Sequence, residues 1–500
     1  MLPREPYKGS TRKLVLAFDV GTTFTGISYC ILDPGEVPVI RGVSRYPAQE
    51  QVGGDSKIPS IIYYDLQGDV RAVGAEALQE RIIDQAEDEG WMKLEWWKLH
   101  LRAEHLASSH IREDDIPPLP RGKSAVQVLA DFMRYLFQCA RTYIQESHLN
   151  LWRSVENSIE FVLTHPNGWE GPQQQQIRRA AELAGLISCK KEQSHVHLLT
   201  EGEASLHFCV TNVIASNAFS SPIAVSDFPV EEEDQSDSQG VVIVDAGGGT
   251  IDLSAYSMKL SPTSFEEIAP AQCCLQGSVF VTRRAHNLLQ NKLSGSNYSS
   301  PEMIIQMTNI FDKTTKLRFR KPDEPSYVKF GTIRDKDLTY DIRSGQLKLA
   351  GQDVADLFDP SVEAIIDAFE QQIRVASTPV NGTQVSELRE FRSPFSLLRK
   401  SRFECNSHSV QIICYKGDLQ KPKWLDIEPS SFSTLCTVHA DLSELCRKLR
   451  PRKSAKDQSN YYLVRFEVVI LFGQTELKAQ ISWKHKGVEM RSPASIVYDE

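Results

Sequence analysis

The sequence predicts an α/β protein with two similar lobes, followed by a smaller β-rich domain. An apolar run at residues 14–18 ends in Asp19, and a glycine-containing turn and a returning apolar run follow it. The same order of features recurs around Asp245. After Thr378 the chain changes to segments in which apolar and polar residues alternate, as they do in half-buried strands. The repeat predicts the two lobes, and the alternation predicts the third domain.

Length and composition indicate a globular protein with more than one domain. The chain has 500 residues, of which 41% are hydrophobic and 24% charged, and this length exceeds that of a single compact core. The net charge of −9 argues against nucleic acid as a partner, because binding to nucleic acid requires a basic stripe or patch. No apolar stretch approaches the roughly 18 residues that a membrane span requires, and the N-terminus lacks the apolar core of a signal peptide.

The cysteines favour a reducing compartment. The chain has 10 of them, scattered along its length, and none forms a C-x-x-C pair. Cys273 and Cys274 are adjacent, which suits neither a disulfide framework nor a zinc site. Reduced core cysteines in a cytoplasmic protein are therefore the interpretation that the pattern favours.

The first lobe is predicted to span residues 13–225. A second buried strand is expected at residues 158–164, after the hairpin that opens the lobe. Residues 172–186 have the apolar spacing of a helix, with Pro172 at a suitable first position. Residues 226–240 are acidic and poor in apolar groups, which predicts a solvated, partly disordered loop between the lobes.

The second lobe is predicted to span residues 241–376, and it opens with the apolar run that ends at Asp245. A helix with one apolar face is predicted at residues 358–373, opened by Pro360. The β-rich C-terminal domain is predicted to span residues 380–500. Its alternating segments lie at residues 410–415, 461–471 and 477–483.

The two glycine turns carry the predicted chemistry. Glycine permits a tight turn and lets backbone N–H groups approach an oligophosphate, and threonine hydroxyls add further donors. The aspartate before each turn would repel phosphates unless a hydrated divalent cation lay between them, and magnesium binds in this way through waters and one or two carboxylates. One such turn is common in β-hairpins, but two copies in matching strand contexts indicate a clamp for a phosphate chain.

These motifs resemble those of the heat-shock protein 70 family, whose nucleotide-binding domain has the two-lobed, actin-like (ribonuclease H-like) ATPase fold. Residues 16–26 resemble the first phosphate motif of the family, and residues 242–254 resemble its second. Three further segments resemble the family's first connecting segment, the helix near the nucleotide and a short glycine turn: residues 163–186, 200–206 and 276–281.

The residues of these motifs are most similar to those of the divergent 12-type branch that is common in fungi. The resemblance runs through residues 13–375 and continues in a weaker form over residues 380–498. It implies ATP or ADP as ligand and Mg²⁺ as cofactor. Phosphate contacts are implied for Gly21, Thr22, Thr23, Gly247, Gly248, Gly249, Thr250 and Gly277, and magnesium contacts through water for Asp19 and Asp245.

The resemblance also implies catalytic and adenosine-binding residues. Lys98 resembles the family's lysine that reaches the γ-phosphate, although a solvated lysine on an aromatic-rich face would look the same. Glu201 matches a glutamate that joins the water shell of the metal or orients the attacking water. Asp312 and Lys316 lie where the family places adenosine contacts, but their spacing fits a surface ion pair equally well.

The resemblance breaks after the predicted helix at residues 358–373, where the family has a further strand and a glycine turn that supports adenosine. No Gly-Gly pair occurs beyond Thr250. Compared with a domain of the family's size, roughly a hundred residues are missing, so the second lobe is expected to be incomplete. An uncovered sheet edge and an apolar helix face would then lower stability or cause aggregation.

The leading hypothesis is a heat-shock protein 70-like ATP-binding protein, acting as a weak Mg²⁺-dependent ATPase or an ATP-driven switch. A chaperone-like role with protein clients or co-chaperones would follow from the family. The alternative is a non-enzymatic interaction protein, a truncated remnant unable to hold ATP. A sugar kinase would need a catalytic carboxylate between the lobes, and no aspartate in a suitable turn matches it. The C-terminal domain lacks a helical lid, which favours a structural or partner-binding role over a peptide clamp.

Overall fold

The computed structural model describes residues 5–52, 56–102, 116–148, 151–188, 190–212, 238–260, 263–376, 390–401, 408–415, 429–447, 449–453, 460–471, 478–485, 487–493 and 495–497. They belong to two compact units. The first comprises Met1–Gly168 and Ile177–Pro379, and the second comprises Val380–Glu500 together with Trp169–Gln176. Apart from Trp169–Gln176, the described residues of both predicted lobes lie in the first unit.

The first lobe is built from short strands and five helices in its described part. The strands are β1 (Lys13–Val20), β2 (Phe24–Leu32), β3 (Ile40–Gly42), β4 (Ile58–Pro59), β5 (Ile62–Tyr64), β6 (Val70–Val73), β7 (Met92–Leu94), β8 (Ile159–His165) and β9 (Val196–Thr200). The helices are α1 (Glu80–Glu89), α2 (Ala125–Ser147), α3 (Trp152–Val155), α4 (Gly171–Ala184) and α5 (Glu201–Asn212), with 3₁₀ turns at Gln49–Val52, Gly74–Leu78, Trp97–Leu101 and Lys190–His195.

The main sheet of the first lobe has the order β3-β2-β1-β8-β9, with β4 also paired to β2. Strand β1 is antiparallel to β2 and parallel to β8, which is parallel to β9. Alternate side chains of β1 are buried because one face of the strand lies in the core. There Phe161 of β8 contacts the rings of Phe18 on β1 and Phe137 on α2, at centroid distances of 6.2 and 5.9 Å. The hairpin, β8 and α4 confirm the predictions for this lobe within two residues at each end.

The second lobe begins with a hairpin like that of the first. Its strands are β10 (Ser238–Ala246), β11 (Ile251–Leu260), β12 (Thr263–Cys274), β13 (Ser326–Lys329), β14 (Ile342–Arg343) and β15 (Gln346–Leu349). Its helices are α6 (Ser278–Lys292), α7 (Pro301–Ile310), α8 (Lys316–Arg318) and α9 (Gly351–Ala376), with a π-helical turn at Phe311–Thr315 and a 3₁₀ turn at Leu338–Tyr340.

The acidic loop predicted at residues 226–240 ends earlier than expected. Residues 238–240 are the first residues of β10 and pair with β11. Residues 226–237 lie outside the described residues. The composition places the end of the loop too late because Ser238, Gln239 and Gly240 are polar or small, whereas the pairing of the strands depends on the backbone.

The sheets of the two lobes have the same strand order on one side and differ on the other side. The order β12-β11-β10 in the second lobe matches β3-β2-β1 in the first, and all neighbouring pairs are antiparallel. Strand β1 continues the sheet by pairing with β8, whereas β10 has β11 as its only strand partner within the described residues. The outer edge of β10 is therefore an unpaired sheet edge in this part of the chain.

Helix α9 is longer than predicted, and Pro360 lies inside it. Proline removes one backbone N–H from a helix and disturbs the turn before it. Arg284 of α6 stabilises this turn, because its Nε donates to the carbonyl of Leu357 at 2.7 Å and its Nη2 to Oγ of Ser361 at 2.8 Å. The prediction that Pro360 opens the helix was wrong because this support comes from a distant part of the chain.

The apolar residues of α9 are only partly covered. Val354 and Leu357 pack into the core formed with α6 and α7, and Ala368 packs against β11 with Ile365 beside it. Five other apolar side chains are between 39% and 50% exposed: Val362, Ile366, Phe369, Ile373 and Val375. The apolar face that the sequence predicts is thus present, with much of it open to solvent.

The second unit contains two antiparallel sheets that share one core. The strands are β16 (Glu390–Arg399), β17 (His408–Tyr415), β18 (Phe432–Ala440), β19 (Arg452–Lys453), β20 (Asn460–Leu471), β21 (Lys478–His485), β22 (Val488–Pro493) and β23 (Ser495–Val497), with α10 (Ser443–Arg447) and a 3₁₀ turn at Pro429–Ser431. The sheet orders are β16-β20-β21-β22, with β19 paired to β20, and β17-β18-β23. Val438 and Cys436 of one sheet and Phe466 and Ile481 of the other lie in the same buried cluster. These strands lie in the region for which the sequence predicts a β-rich domain.

Within the described segments, no helix combines the length and the apolar character that crossing a bilayer requires.

Candidate phosphate-binding site

The two hairpins place an aspartate at equivalent positions. Asp19 is the last but one residue of β1 and pairs with Gly26 of β2. Asp245 is the last but one residue of β10 and pairs with Asp252 of β11. Each carboxylate therefore lies two residues before the first glycine of a turn, as the repeat in the sequence predicts.

The two turns face each other at contact distance. A Cβ atom placed on Gly248 would lie 2.4 Å from Oγ1 of Thr23, and one placed on Gly249 would lie 2.4 Å from Oγ1 of Thr22. Both distances are far below normal van der Waals contact, so only glycine allows the turns to approach so closely. The structure thus brings together the two motifs that the sequence analysis paired.

The second turn offers backbone N–H groups to a ligand. Gly247 donates its N–H to the carbonyl of Thr250 at 2.9 Å within the turn. Among the hydrogen bonds of the described residues, none uses the N–H of Gly248 or of Gly249. Adjacent N–H groups of this kind form a concave site for an anion.

The start of α6 supports the second turn from behind. The N–H of Gly277 donates to the carbonyl of Gly249 at 3.1 Å, and that of Ser278 donates to the carbonyl of Gly247 at 3.0 Å. A Cβ atom on Gly277 would lie 2.4 Å from the carbonyl oxygen of Gly248. Gly277 therefore lies against the turn, with its own N–H engaged by the turn.

Lys98 and Glu201 form a buried ion pair beside the turns. Lys98 belongs to the 3₁₀ turn Trp97–Leu101, and its Nζ lies 2.7 Å from Oε1 of Glu201, the first residue of α5. Only 6% of Lys98 is exposed, so the alternative of a solvated surface lysine is wrong. Burial raises the pKa of Glu201 to about 7, and the charges of Asp252 and Asp19 raise it as well, although Lys98 opposes the shift.

Asp252 is a further carboxylate of the site, to which the sequence analysis assigned no role. It is 1% exposed, and its Oδ1 accepts the backbone N–H of Asn167 at 2.7 Å. Burial raises the pKa of Asp252, while the hydrogen bonds from Thr250 and Asn167 oppose this. The signal that could have identified it is its place in the second motif, seven residues after Asp245, on the returning strand.

Lys57 is a second cation that the sequence analysis missed. Its Nζ lies 2.8 Å from Oδ2 of Asp19. Burial lowers the pKa of Lys57, but the charge of Asp19, with weaker contributions from Asp245 and Glu201, outweighs burial and raises it. No pattern in the sequence indicates this role, since Lys57 is 38 residues from Asp19 and reaches it only through the pairing of β4 with β2.

The site as a whole carries excess negative charge. Burial and the charge of Asp19 raise the pKa of Asp245, which also accepts a hydrogen bond from Ser205. In the described residues, no group of three or more His, Cys, Asp or Glu side chains could ligate a metal ion directly. Asp19 and Asp245 supply two carboxylates, a donor set of the kind that Mg²⁺ uses together with several waters.

Asp312 and Lys316 form an ion pair on the π-helical turn and the helix after it. Lys316 is only 11% exposed, and its Nζ also donates to Oγ1 of Thr282 on α6 at 3.0 Å. Lys316 is thus built into the second lobe, whereas 42% of the Asp312 side chain is exposed. The contact with Thr282 places the pair along α6, whose first turn supports the glycine turn.

The comparisons with known proteins point to distant relatives in the heat-shock protein 70 group. No protein-family model matches the chain. Heat shock 70 kDa protein 12A of Mus musculus is 25% identical over 313 residues, which cover 55% of this chain and 45% of that protein. Heat shock 70 kDa protein 12A of Homo sapiens is 24% identical over 322 residues, 57% of this chain and 46% of that protein. Heat shock 70 kDa protein 12B of Homo sapiens is 25% identical over 210 residues, 41% of this chain and 29% of that protein.

The chain spans about half the length of the curated 12A relatives that it matches. The similarity supports a relationship to heat-shock protein 70 and its actin-like ATPase domain. The mixed α/β architecture, with a hairpin opening each lobe, is compatible with that fold.

Proposed function

We propose that the first unit binds ATP with Mg²⁺ between its two glycine turns, and that the chain is a heat-shock protein 70-like ATP-binding protein. The observation that carries the proposal is the direct opposition of Thr22 and Thr23 to Gly249 and Gly248. The similarity to Heat shock 70 kDa protein 12A adds support, since it covers more than half of the chain.

The turns would hold the phosphates through backbone N–H groups and threonine hydroxyls. The residues proposed for this are Gly21, Thr22 and Thr23 in the first turn and Gly247, Gly248, Gly249 and Thr250 in the second, with Gly277 as their support. Asp19 and Asp245 would hold magnesium through water. When bound, the metal would neutralise charge on the phosphate chain and so remove its repulsion from the two carboxylates.

Lys98 and Glu201 are the residues proposed for hydrolysis. Glu201 would accept a hydrogen bond from the attacking water, because its carboxylate is held by Lys98 next to the turns. Its pKa of about 7 lets it exchange a proton near neutral pH, where a general base is most effective. Since phosphoryl transfer depends on positioning and charge, the site supports a weak ATPase or an ATP-driven switch.

Asp312 and Lys316 are proposed to lie on the adenosine side of the site. The family's glycine turn for adenosine has no counterpart in the sequence, and we propose that the chain is a fungal 12-type member shortened in its second lobe. The unpaired edge of β10 and the exposed residues of α9 support this proposal. We also propose a location in the cytoplasm, with protein clients or co-chaperones as partners.

The test is calorimetric titration of the full chain with ATP in the presence of Mg²⁺. We expect Asp245→Ala to weaken binding by roughly ten-fold or more, the effect of removing a charged hydrogen-bonding group. Glu363→Ala is the matched control, because Glu363 is an exposed carboxylate of the same lobe on α9. Equal binding by both variants would overturn the assignment of Asp245.

The second candidate function is a non-enzymatic interaction protein. It is favoured by the same open β10 edge and by the apolar residues exposed on α9, since exposed apolar groups and sheet edges are sites of protein association. Absence of any heat on titrating the native protein with ATP and Mg²⁺ would favour this candidate over the first.

A further inference from the structure

We propose that Lys57 is a built-in counter-cation of the phosphate site. Its charge allows the site to bind a nucleoside triphosphate measurably in the absence of a divalent metal. The inference rests on the proposed function, because it concerns the same two turns. It adds a residue and a property that neither the motifs nor the similarity to known proteins indicate.

The fold brings Lys57 to the site through a short strand. Lys57 immediately precedes β4, and β4 pairs with the start of β2 through Thr25 with Ile58 and Phe24 with Pro59. Ser60, which follows β4, donates its hydroxyl to the carbonyl of Gly21 at 2.7 Å. The segment that carries Lys57 is therefore attached to the first glycine turn by backbone pairing and by a side chain.

Gly26 provides the path for the Lys57 side chain. It lies opposite Asp19 in the hairpin, and a Cβ atom on Gly26 would be 3.3 Å from Cγ and 3.5 Å from Cε of Lys57. The aliphatic part of Lys57 thus lies across the backbone of Gly26, and the ammonium group reaches Oδ2 of Asp19 on the other strand. A larger residue at position 26 would push this side chain away.

The Lys57–Asp19 pair is partly open to solvent. Half of the Lys57 side chain is exposed, and 42% of the Asp19 side chain is exposed. An ammonium group has three donors, so Lys57 can bind Asp19 and still donate to a phosphate oxygen. Lys98 differs from it, because only 7% of that side chain is exposed and it is paired with Glu201 inside the protein.

The positive charge of Lys57 reduces the net negative charge that Asp19 presents to a phosphate. A carboxylate alone repels a phosphate, and this repulsion is the reason that a divalent cation is needed. With Lys57 paired to it, the Asp19 position presents a cation and an anion together, and the local field becomes close to neutral. The first turn can therefore accept phosphate oxygens without metal, whereas Asp245 in the second turn still requires one.

The experiment is calorimetric titration of the full chain with ATP in two buffers, one with Mg²⁺ and one with EDTA. We compare the native protein with Lys57→Gln and Lys57→Arg. Native protein is expected to bind ATP measurably in EDTA. In EDTA, Lys57→Gln should bind ATP roughly ten-fold or more weakly than the native protein, which is the effect of losing one charged hydrogen bond. In Mg²⁺ its ATP affinity should fall much less. Lys57→Arg should keep binding in EDTA because it keeps the charge.

Lys13→Gln is the matched control. Lys13 lies on the same hairpin and pairs with Glu160 at 2.7 Å, but at the end of β1 that is far from the turns. Its loss should leave ATP affinity unchanged in both buffers. Thermal unfolding of each variant identifies any that fails to fold, in which case Lys57→Arg and the native protein still decide the question in EDTA.

Several outcomes would overturn the proposal. Native protein that binds ATP in Mg²⁺ but not in EDTA would contradict it while leaving the proposed function intact. An equal loss for Lys57→Gln in both buffers, or tighter binding of that variant in Mg²⁺, would also contradict it. If the native protein binds ATP in neither buffer, the proposed function itself has failed.

Discussion

Asn167 joins the first lobe to Asp252 of the second. Its backbone N–H lies 2.7 Å from Oδ1 of Asp252, and its side-chain amide donates to the carbonyl of Leu253 at 3.2 Å and to Oγ of Ser254 at 2.9 Å. Its Oδ1 accepts the N–H of Gly202 in α5 at 3.2 Å. Asn167, the second residue after β8, is thus bonded both to β11 and to the helix that carries Glu201.

The first prediction concerns this link. Asn167→Ala removes the three side-chain hydrogen bonds, and we expect the free energy of unfolding to fall by about 1–3 kcal/mol, the range for buried groups that lose their partners. Urea denaturation measures this. The control Asn291→Ala, at an exposed position on α6, should change stability by less than about 0.5 kcal/mol. Similar values for the two variants would show that the link contributes nothing.

The second prediction concerns the contact between the turns. Gly248→Ala introduces a methyl group that would lie 2.4 Å from Oγ1 of Thr23, so it should destabilise the first unit and weaken ATP binding. Thr23→Ala in the same chain should relieve part of the clash, giving a coupling of roughly 0.5–3 kcal/mol in a double-mutant cycle of unfolding free energies. Gly240→Ala on β10, where a Cβ atom meets nothing within 4 Å, is the control. Purely additive effects of the two substitutions would mean that the turns are not in contact.

The third prediction concerns pH. The pKa of Glu201 is raised to about 7 by burial, from an ordinary value of 4.5, so the folded state binds a proton more tightly than the unfolded state. The unfolding free energy should therefore fall as pH rises from about 4.5 to about 7, by up to roughly 3 kcal/mol from this group. Glu201→Gln cannot lose a proton, and its stability should decrease less over this range than that of the native protein.

The measurement is urea denaturation at pH steps between these limits, with Glu203→Gln as the control. Glu203 lies in the same first turn of α5, so this variant shows whether the slope depends on Glu201 or on any carboxylate of the turn. Asp245 and Asp252, whose pKa values burial also raises, should leave a residual slope of the same sign in Glu201→Gln. A native curve that rises between pH 4.5 and 7 would contradict the prediction.

The fourth prediction concerns the exposed face of α9. Ile366 is 50% exposed and Val362 is 46% exposed, so Ile366→Lys and Val362→Lys should leave folding intact and reduce self-association. Sedimentation velocity and binding of a hydrophobic dye measure the change. Ala368→Lys, at a position that is 3% exposed against β11, should instead prevent folding. If Ile366→Lys unfolds the protein as Ala368→Lys does, the face is part of the core.

Much of the fold could be predicted because its signals are local. Apolar runs that end in an aspartate and a glycine turn identify β1, β2, β10 and β11, since strand periodicity and glycine geometry act over a few residues. The helix at Gly171–Ala184 and the strands of the second unit follow from the same kind of pattern. The start of α9 could not be predicted from Pro360, because the helix continues through it with the support of Arg284.

Some residues of the candidate site could likewise be predicted from local patterns, and others could not. The two turns, with Asp19 and Asp245 before them, can be read from the motifs alone, because motif order and spacing are preserved along the chain. That Lys98 is buried against Glu201, 103 residues away, and that Lys57 reaches Asp19 emerges from the three-dimensional arrangement alone. The charge state and partners of a side chain depend on which distant segments the sheets bring beside it, and a linear pattern contains no such distances.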